Sequence, residues 1–259
     1  MTIIIARYKN TFIAGLLLLL ATAGSSCKKD NPGEGNPATV QLYNALNDKI
    51  QLYVNLSGKP LASYRSGLML DNKIFSRYNN LYLHELPQTL NLFAIPDTMP
   101  HNTPLVSAKL DLQPGKIYSL FIYGDKLSAG YLLQEDQYPV LNYTDSTSFI
   151  RFANMSDGAP ISVNLKGEPD GSFVQELPFK SLSGFQTLPL SMTIGRQEFE
   201  IRDKNTGTIL ATYLTPPWDF AFLNYNSWVF KPVTLVFTGV PQGTGNNQQS
   251  IIAMPHISR

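Results

Sequence analysis

The chain has 259 residues, with 20 lysines and arginines against 19 aspartates and glutamates, one cysteine and three histidines. A balance this close to neutral, with no basic block, excludes the electrostatic footprint expected for a nucleic-acid partner or an anionic membrane surface. A single cysteine excludes any disulfide within the chain.

Residues 1–26 have a basic start at Arg7 and Lys9, an apolar run from Phe12 to Leu20 and small residues from Ala21 to Ser26. This is the pattern of a secretory signal peptide. The apolar run is well short of the roughly 20 residues that span a bilayer as a helix, so it predicts a processed leader and no permanent span. Cys27 follows at once, beside Lys28, Lys29 and Asp30. A lone cysteine is ordinarily a buried thiol, but a core position would not fall at a signal boundary. The segment therefore reads as a lipobox, with cleavage before Cys27 and diacylglycerol on its thiol. Gly24 stands where many lipoboxes carry an aliphatic residue; in this the segment is similar to the looser lipoboxes of Bacteroidota lipoproteins. Lys28, Lys29 and Asp30 resemble the lysine-then-acid signal that sends such proteins to the cell surface. The resemblance implies an outer-membrane protein held by N-terminal lipid, and a triacylated cysteine supplies the several chains that stable anchoring takes.

Residues 27–38 read as a flexible tether, because DNPGEGNP from Asp30 has nothing to bury and two prolines that oppose helix. The segments TVQLYNAL, IQLYVNL, TLNLFAI, SAKLDL, KIYSLFIYG, SFIRFAN, QEFEIRD and VTLVFTG come next, in that order. Each has strand length and period-two patterning, and is bounded by Gly, Pro, Asn or Asp. No window of eleven or more residues carries a helical stripe. The fold class expected is all-β.

The chain also repeats itself. VQLYNALNDKIQLYVNLSGKP, from Val40, aligns with IRFANMSDGAPISVNLKGEP, from Ile150. Asn44 falls opposite Asn154, and Val54, Asn55, Leu56 and Gly58 fall opposite Val163, Asn164, Leu165 and Gly167. LFAIPD aligns with FEIRD, setting Ile95 opposite Ile201, and KIYSLFIYG, ending at Gly124, aligns with KPVTLVFTG, ending at Gly239. These matches predict two tandem antiparallel β-sandwich domains, residues 39–145 and 146–259, that touch through a short polar junction. In each copy Gly58 or Gly167 is expected to make the turn after a strand that points Val and Leu one way and the Asn between them the other.

FIRFANMSDGAPISVNL and QPGKIYSLFIYGD carry a resemblance to the tandem bacterial family known as domain of unknown function 4397. The first copy departs from that pattern, with Gln41 where the second has Arg151 and Leu46 where it has Ser156. The resemblance covers most of residues 40–256 and implies immunoglobulin-like sandwiches on an exported protein, with no established activity.

Candidate chemistry is sparse. His84, His101 and His256 lie far apart, without the paired spacing of a zinc site, and read as surface residues. No nucleophile elbow, phosphate loop or calcium loop is present, so neither a metal nor a cofactor is expected. Glu198 and Glu200 share a strand face with Cα atoms about 6.6 Å apart, from twice the strand rise. That separation suits a glycan-active hydrolase with a carboxylate pair, although neighbours on one strand more often simply meet water. Glu135 and Asp136 are likewise expected to be solvated. The aromatics concentrate in PPWDFAFLNYNSWVF, from Pro216. They read either as packing or as a ligand platform in which Trp218, Tyr225 and Trp228 stack on a sugar and Asp219 fixes hydroxyls. Tyr64, Tyr78 and Tyr82 form a second aromatic patch, and either patch also suits a protein ligand. Thr98 and Ser146 sit in tripeptides that resemble the O-glycosylation signal of exported Bacteroidota proteins, or are ordinary turn residues. The function expected is a non-catalytic, lipid-anchored envelope protein that binds a glycan or another protein or plays a structural role.

Overall fold

The computed structural model describes residues 36–56, 67–84, 88–95, 103–140, 146–190, 193–217 and 228–256. The lipobox residues Cys27, Lys28, Lys29 and Asp30 lie outside these, as do Trp218, Asp219, Tyr225, Tyr64, His101, Gly58 and Thr98. Residues 37–259 make one compact unit, distinct from residues 1–36.

The unit is all-β and is built from two halves with the same topology. In the first, the strands are β1 (Ala38–Asn44), β2 (Gln51–Asn55), β3 (Leu68–Leu70), β4 (Asn80–Leu83), β5 (Gln88–Ile95), β6 (Val106–Leu110), β7 (Ile117–Tyr123) and β8 (Gly130–Glu135). They form two sheets, in the orders β4-β1-β7-β8 and β3-β2-β5-β6. The second half has β9 (Thr147–Asn154), β10 (Ile161–Leu165), β11 (Val174–Leu177), β12 (Ser181–Leu182), β13 (Gln186–Pro189), β14 (Glu198–Asp203), β15 (Ile209–Leu214), β16 (Pro232–Thr238) and β17 (Ser250–Pro255). Its sheets run β12-β9-β16-β17, with β13 also on β9, and β11-β10-β14-β15. Two short strands, β12 and β13, thus stand where the first half has β4.

Alternation of apolar residues drives the pairing of sheets. Val40, Leu42, Leu120 and Ile122 from one sheet and Leu52, Val54, Leu90 and Leu92 from the other share the core of the first half. Ile150, Phe152, Leu235 and Phe237 meet Ile161, Val163, Phe199 and Ile201 in the second. Each such side chain taken from water contributes about 1.5–3 kcal/mol before entropy is counted.

Two features depart from the expected sandwiches. Among the described residues all strand pairs are antiparallel except β1 with β7 and β9 with β16, which are parallel. This sets the first strand of each half inside its sheet, a variant strand order within the immunoglobulin-like sandwich architecture, whose members do not all share one topology. Gapless similarity also misplaced one pair of positions. Val54 pairs with Leu92 and Val163 with Ile201, so the counterpart of Ile201 is Leu92 rather than Ile95.

The repeated polar residues have structural roles. Asn44 Nδ2 donates to the Ile50 carbonyl at 2.8 Å and its Oδ1 accepts from the Leu46 amide at 3.2 Å. Asn154 Nδ2 donates to the Leu177 carbonyl at 3.0 Å and its Oδ1 accepts from the Ser156 amide at 3.1 Å. Each asparagine ties the end of a first strand to later backbone of its own half, satisfying buried groups that would otherwise be orphaned. Asn164 does point away from Val163 and Leu165, yet it is buried, because the loop after β10 folds over it and the Gly171 amide donates to its Oδ1 at 3.1 Å. Gly167 turns at φ +91°, as expected of a residue placed to make that turn.

Candidate functional site

The backs of the β1-β7 and β9-β16 sheets pack on each other. Tyr43, Ala45 and Phe121 from the first half meet Ala153, Met155, Val236 and Met254 from the second in a separate apolar cluster. Beside this cluster lies a buried polar network built from equivalent positions of the two copies.

Strand register defines the equivalence. Gln41 lies beside Ser119 and Tyr118 beside Glu135 in the first half; Arg151 lies beside Thr234 and Val233 beside Pro255 in the second. Asp136 and His256 come directly after these last strands, and their amides donate to the Ile117 and Pro232 carbonyls at 2.8 and 2.9 Å. The matched sets are thus Gln41, Ser119 and Asp136 against Arg151, Thr234 and His256. Contacts across the junction join one set to the other, and Tyr138 adds to them, its hydroxyl lying 2.9 Å from His256 Nδ1. Arg151 Nη2 meets Asp136 Oδ1 at 2.7 Å and donates to Ser119 Oγ at 3.0 Å. Gln41 Oε1 meets His256 Nδ1 in a short hydrogen bond.

The tautomer of His256 is set by its partners. Because Gln41 Oε1 can only accept, Nδ1 carries the proton, and the Thr234 hydroxyl donates to Nε2 at 2.6 Å. Arg151 Nε donates in turn to Thr234 Oγ1 at 2.8 Å. Burial, with the nearby Arg151 charge, holds His256 well below the usual histidine range. Burial pushes Asp136 above the ordinary aspartate range, opposed by Arg151, Ser119 and Tyr138. The side chains of Arg151 and Asp136 are only 4% and 0% exposed, which makes theirs a fully desolvated ion pair. The expectation that Asp136 and His256 are solvated is therefore corrected: the second half covers Asp136 and the first covers His256, which neither residue's sequence neighbours could reveal.

A groove of about 580 Å³ opens over this network, at the junction of the halves. Gln134, Gln137 and Tyr138 from the end of β8 line one side, and Gly184 and Phe185 from the β12–β13 connection the other, with Arg151 between. Tyr138 and Phe185 meet edge to face at 5.6 Å, and the Arg151 guanidinium lies 4.6 Å from the Phe185 ring centre. The Tyr138 hydroxyl donates inward to Gln41 Oε1 at 3.1 Å, so the ring is fixed from below. No sequence motif pointed to Phe185 or Tyr138. They are single aromatics in turn-rich stretches, brought together only by the packing of the halves.

Of the other candidate residues, Trp228 is 1% exposed and stacks on Tyr213 at 5.8 Å, inside the core of the second half, and so offers no ring to solvent. Tyr78 and Tyr82 are exposed on the first half, and His84 is exposed beside them. Ser146 is half-buried, and its carbonyl accepts from the Leu190 amide at 2.8 Å. Glu198 accepts from Lys166 at 2.8 Å, and Glu200 from Arg202 at 2.8 Å and Asn164 at 3.2 Å. Both carboxylates are engaged by partners on their own sheet or the loop beside it. Among the described residues no cluster of three or more His, Cys, Asp or Glu is arranged to hold a metal ion. Nor is any described helix long and apolar enough to cross a membrane.

No family model and no curated protein matches the chain. Solved structures do. One reports α-glucan recognition by family 41 carbohydrate-binding modules from streptococcal virulence factors, at 12% identity over 84% of this chain and 97% of that one, with a TM-score of 0.25. A second is an adhesin candidate from Bacteroides ovatus, at 13% identity over 88% and 99%, with a TM-score of 0.25. A third reports α-glucan binding by a streptococcal virulence factor, at 14% identity over 78% and 93%, with a TM-score of 0.24.

Proposed function

We propose that the chain is a non-catalytic binding protein of the bacterial cell envelope, anchored through lipid on Cys27 and displayed at the cell surface by Lys28, Lys29 and Asp30. In this reading residues 27–38 are the tether, and the two sandwiches are tandem members of the domain of unknown function 4397 family. They present a glycan or protein ligand with the groove at their junction. The observation that carries the reading is the groove itself, with an aromatic ring from each half set on a buried network whose charges are already paired. Such a surface suits recognition, whereas acid–base chemistry needs an ionisable group free to exchange protons with a substrate.

Gly184→Trp tests the site. Gly184 lines the groove and a Cβ there meets nothing within 4 Å, so a side chain can be introduced at this position to block it. On an array of glycans and envelope proteins, ligands retained by the wild type should be lost by this variant; unchanged retention would exclude the groove. Anchoring is tested by Cys27→Ala, which should move the protein from the membrane fraction to the soluble one. Release of sugars by the wild type, abolished in Glu200→Gln, would favour the hydrolase instead.

A further inference from the structure

We infer that the groove at the junction takes an uncharged carbohydrate chain, an inference that rests on the groove being the binding site. The lining decides the ligand's charge. Its charged members are Arg151 and Glu135. Arg151 is held by Asp136 at 2.7 Å, and Glu135 by Lys116 at 2.8 Å. Among the described lining residues no charge is left over for a uronic acid, a phosphate or an acidic peptide. An anion here would compete with Asp136 for a guanidinium that is already desolvated.

The shape and the remaining chemistry decide the class. About 580 Å³ is within the roughly 300–1,000 Å³ usual for small-ligand sites, enough for a short stretch of sugar units. Two half-buried rings give an apolar surface for sugar C–H faces. The exposed amides of Gln134 and Gln137 stand at the rim and both donate and accept, as hydroxyls require. Fixed rings with adaptable amides above them suit a ligand that alternates apolar faces with hydroxyls. A wholly apolar ligand would make no use of these amides.

The test uses the purified protein with cellotetraose, maltotetraose, xylotetraose and mannotetraose as neutral probes, tetragalacturonate as the acidic one, and a displayed random-peptide library. At least one neutral probe should bind, with affinity about tenfold weaker in Phe185→Ala and several-fold weaker in Gln137→Ala. If Phe185→Ala fails to fold, the exposed double variant Gln134→Ala/Gln137→Ala carries the test. Tetragalacturonate bound more tightly than every neutral probe, or library peptides whose binding falls in Gln137→Ala, would overturn the inference but leave the groove as the site. Neutral probes bound equally by wild type and variants would remove the groove altogether. Binding of none of the probes would overturn the inference, and the Gly184→Trp array comparison then decides separately whether the groove binds anything else.

Discussion

Arg151→Met should be the most destabilising single change at the junction. The substitution keeps much of the side-chain stem but removes the guanidinium from Asp136, Ser119 and Thr234. Asp136, with a side chain fully removed from solvent, is then left without its counter-charge. Breaking a buried pair in this way costs about 3–5 kcal/mol, because the remaining charge loses its partner but not its desolvation. For a chain of this size that is a fall in Tm of about 6–20 °C. The burden is relieved if Asp136 takes up a proton, which its raised pKa favours, so the deficit should shrink as pH is lowered from 7 towards 5. Urea unfolding at several pH values measures this directly. The double variant Arg151→Met/Asp136→Leu should recover most of the loss, since apolar replacement of a whole buried pair is often neutral. Arg151→Met within about 1 kcal/mol of wild type at pH 7, or losses that simply add in the double variant, would show that the pair is solvated and uncoupled.

His256 gives a pH signature of its own. Its folded pKa is depressed, so below about pH 6.5 the unfolded chain binds the proton that the folded one refuses, and stability falls as pH drops at up to about 1.4 kcal/mol per unit. His256→Gln should flatten that stretch of the stability–pH curve; an unchanged slope would refute the assignment. Asp136 acts with the opposite sign just above pH 3.8, where its raised folded pKa makes the folded state the better proton binder. Trp228→Ala should cost about 3–5 kcal/mol in thermal or urea unfolding, as for an aromatic removed from a packed core. Equal stability would place the ring at a surface after all. Gly239→Ala should lower Tm clearly, because φ is +100° and the new Cβ would lie 2.5 Å from the Gln248 carbonyl oxygen; Gly124→Ala, at φ +91° and 2.6 Å from the Ser128 oxygen, should behave alike.

The fold was legible wherever a residue's role is set within its own half. Strand alternation named the segments around β1, β2, β5, β6, β7, β9, β14 and β16, and the repeat placed Gly124 opposite Gly239 and Asn44 opposite Asn154, which play equivalent parts. The short strands β3, β4, β11, β12 and β13 were missed, since two to four residues are too few for a period to show, and so were β8, β15 and β17, which lie at sheet edges and whose half-buried residues do not alternate cleanly. The site was not legible, because what makes Asp136, His256, Tyr138 and Phe185 special is contact across the junction. Asp136 comes after Glu135 in a stretch that reads as solvated, and nothing local reports that a second sandwich covers it. One trace was present: Gln41 standing where the second copy has Arg151 was visible as a departure from the repeat, and it falls within the network.

That departure explains why the halves pair with each other. A repeat packed back to back resembles an isologous dimer, in which position i meets j and j meets i. Between the strand position of Gln41 and Arg151 and that of Asp136 and His256, the crossed contacts are Arg151 with Asp136 and Gln41 with His256, one ionic and one neutral. If the second half met a copy of itself, both contacts would set Arg151 against a buried His256, pairing donor with donor once the imidazole was charged. If the first half met its own copy, both would set Gln41 against a buried Asp136 with no counter-charge. Each like pairing leaves buried charge uncompensated, at a cost of several kcal/mol per ion, and only the mixed pairing neutralises it. Divergence at two repeat positions thus penalises self-association of either half while leaving their union with each other intact. The same divergence leaves the groove floor without an unpaired charge, which is the premise of the neutral ligand proposed for it.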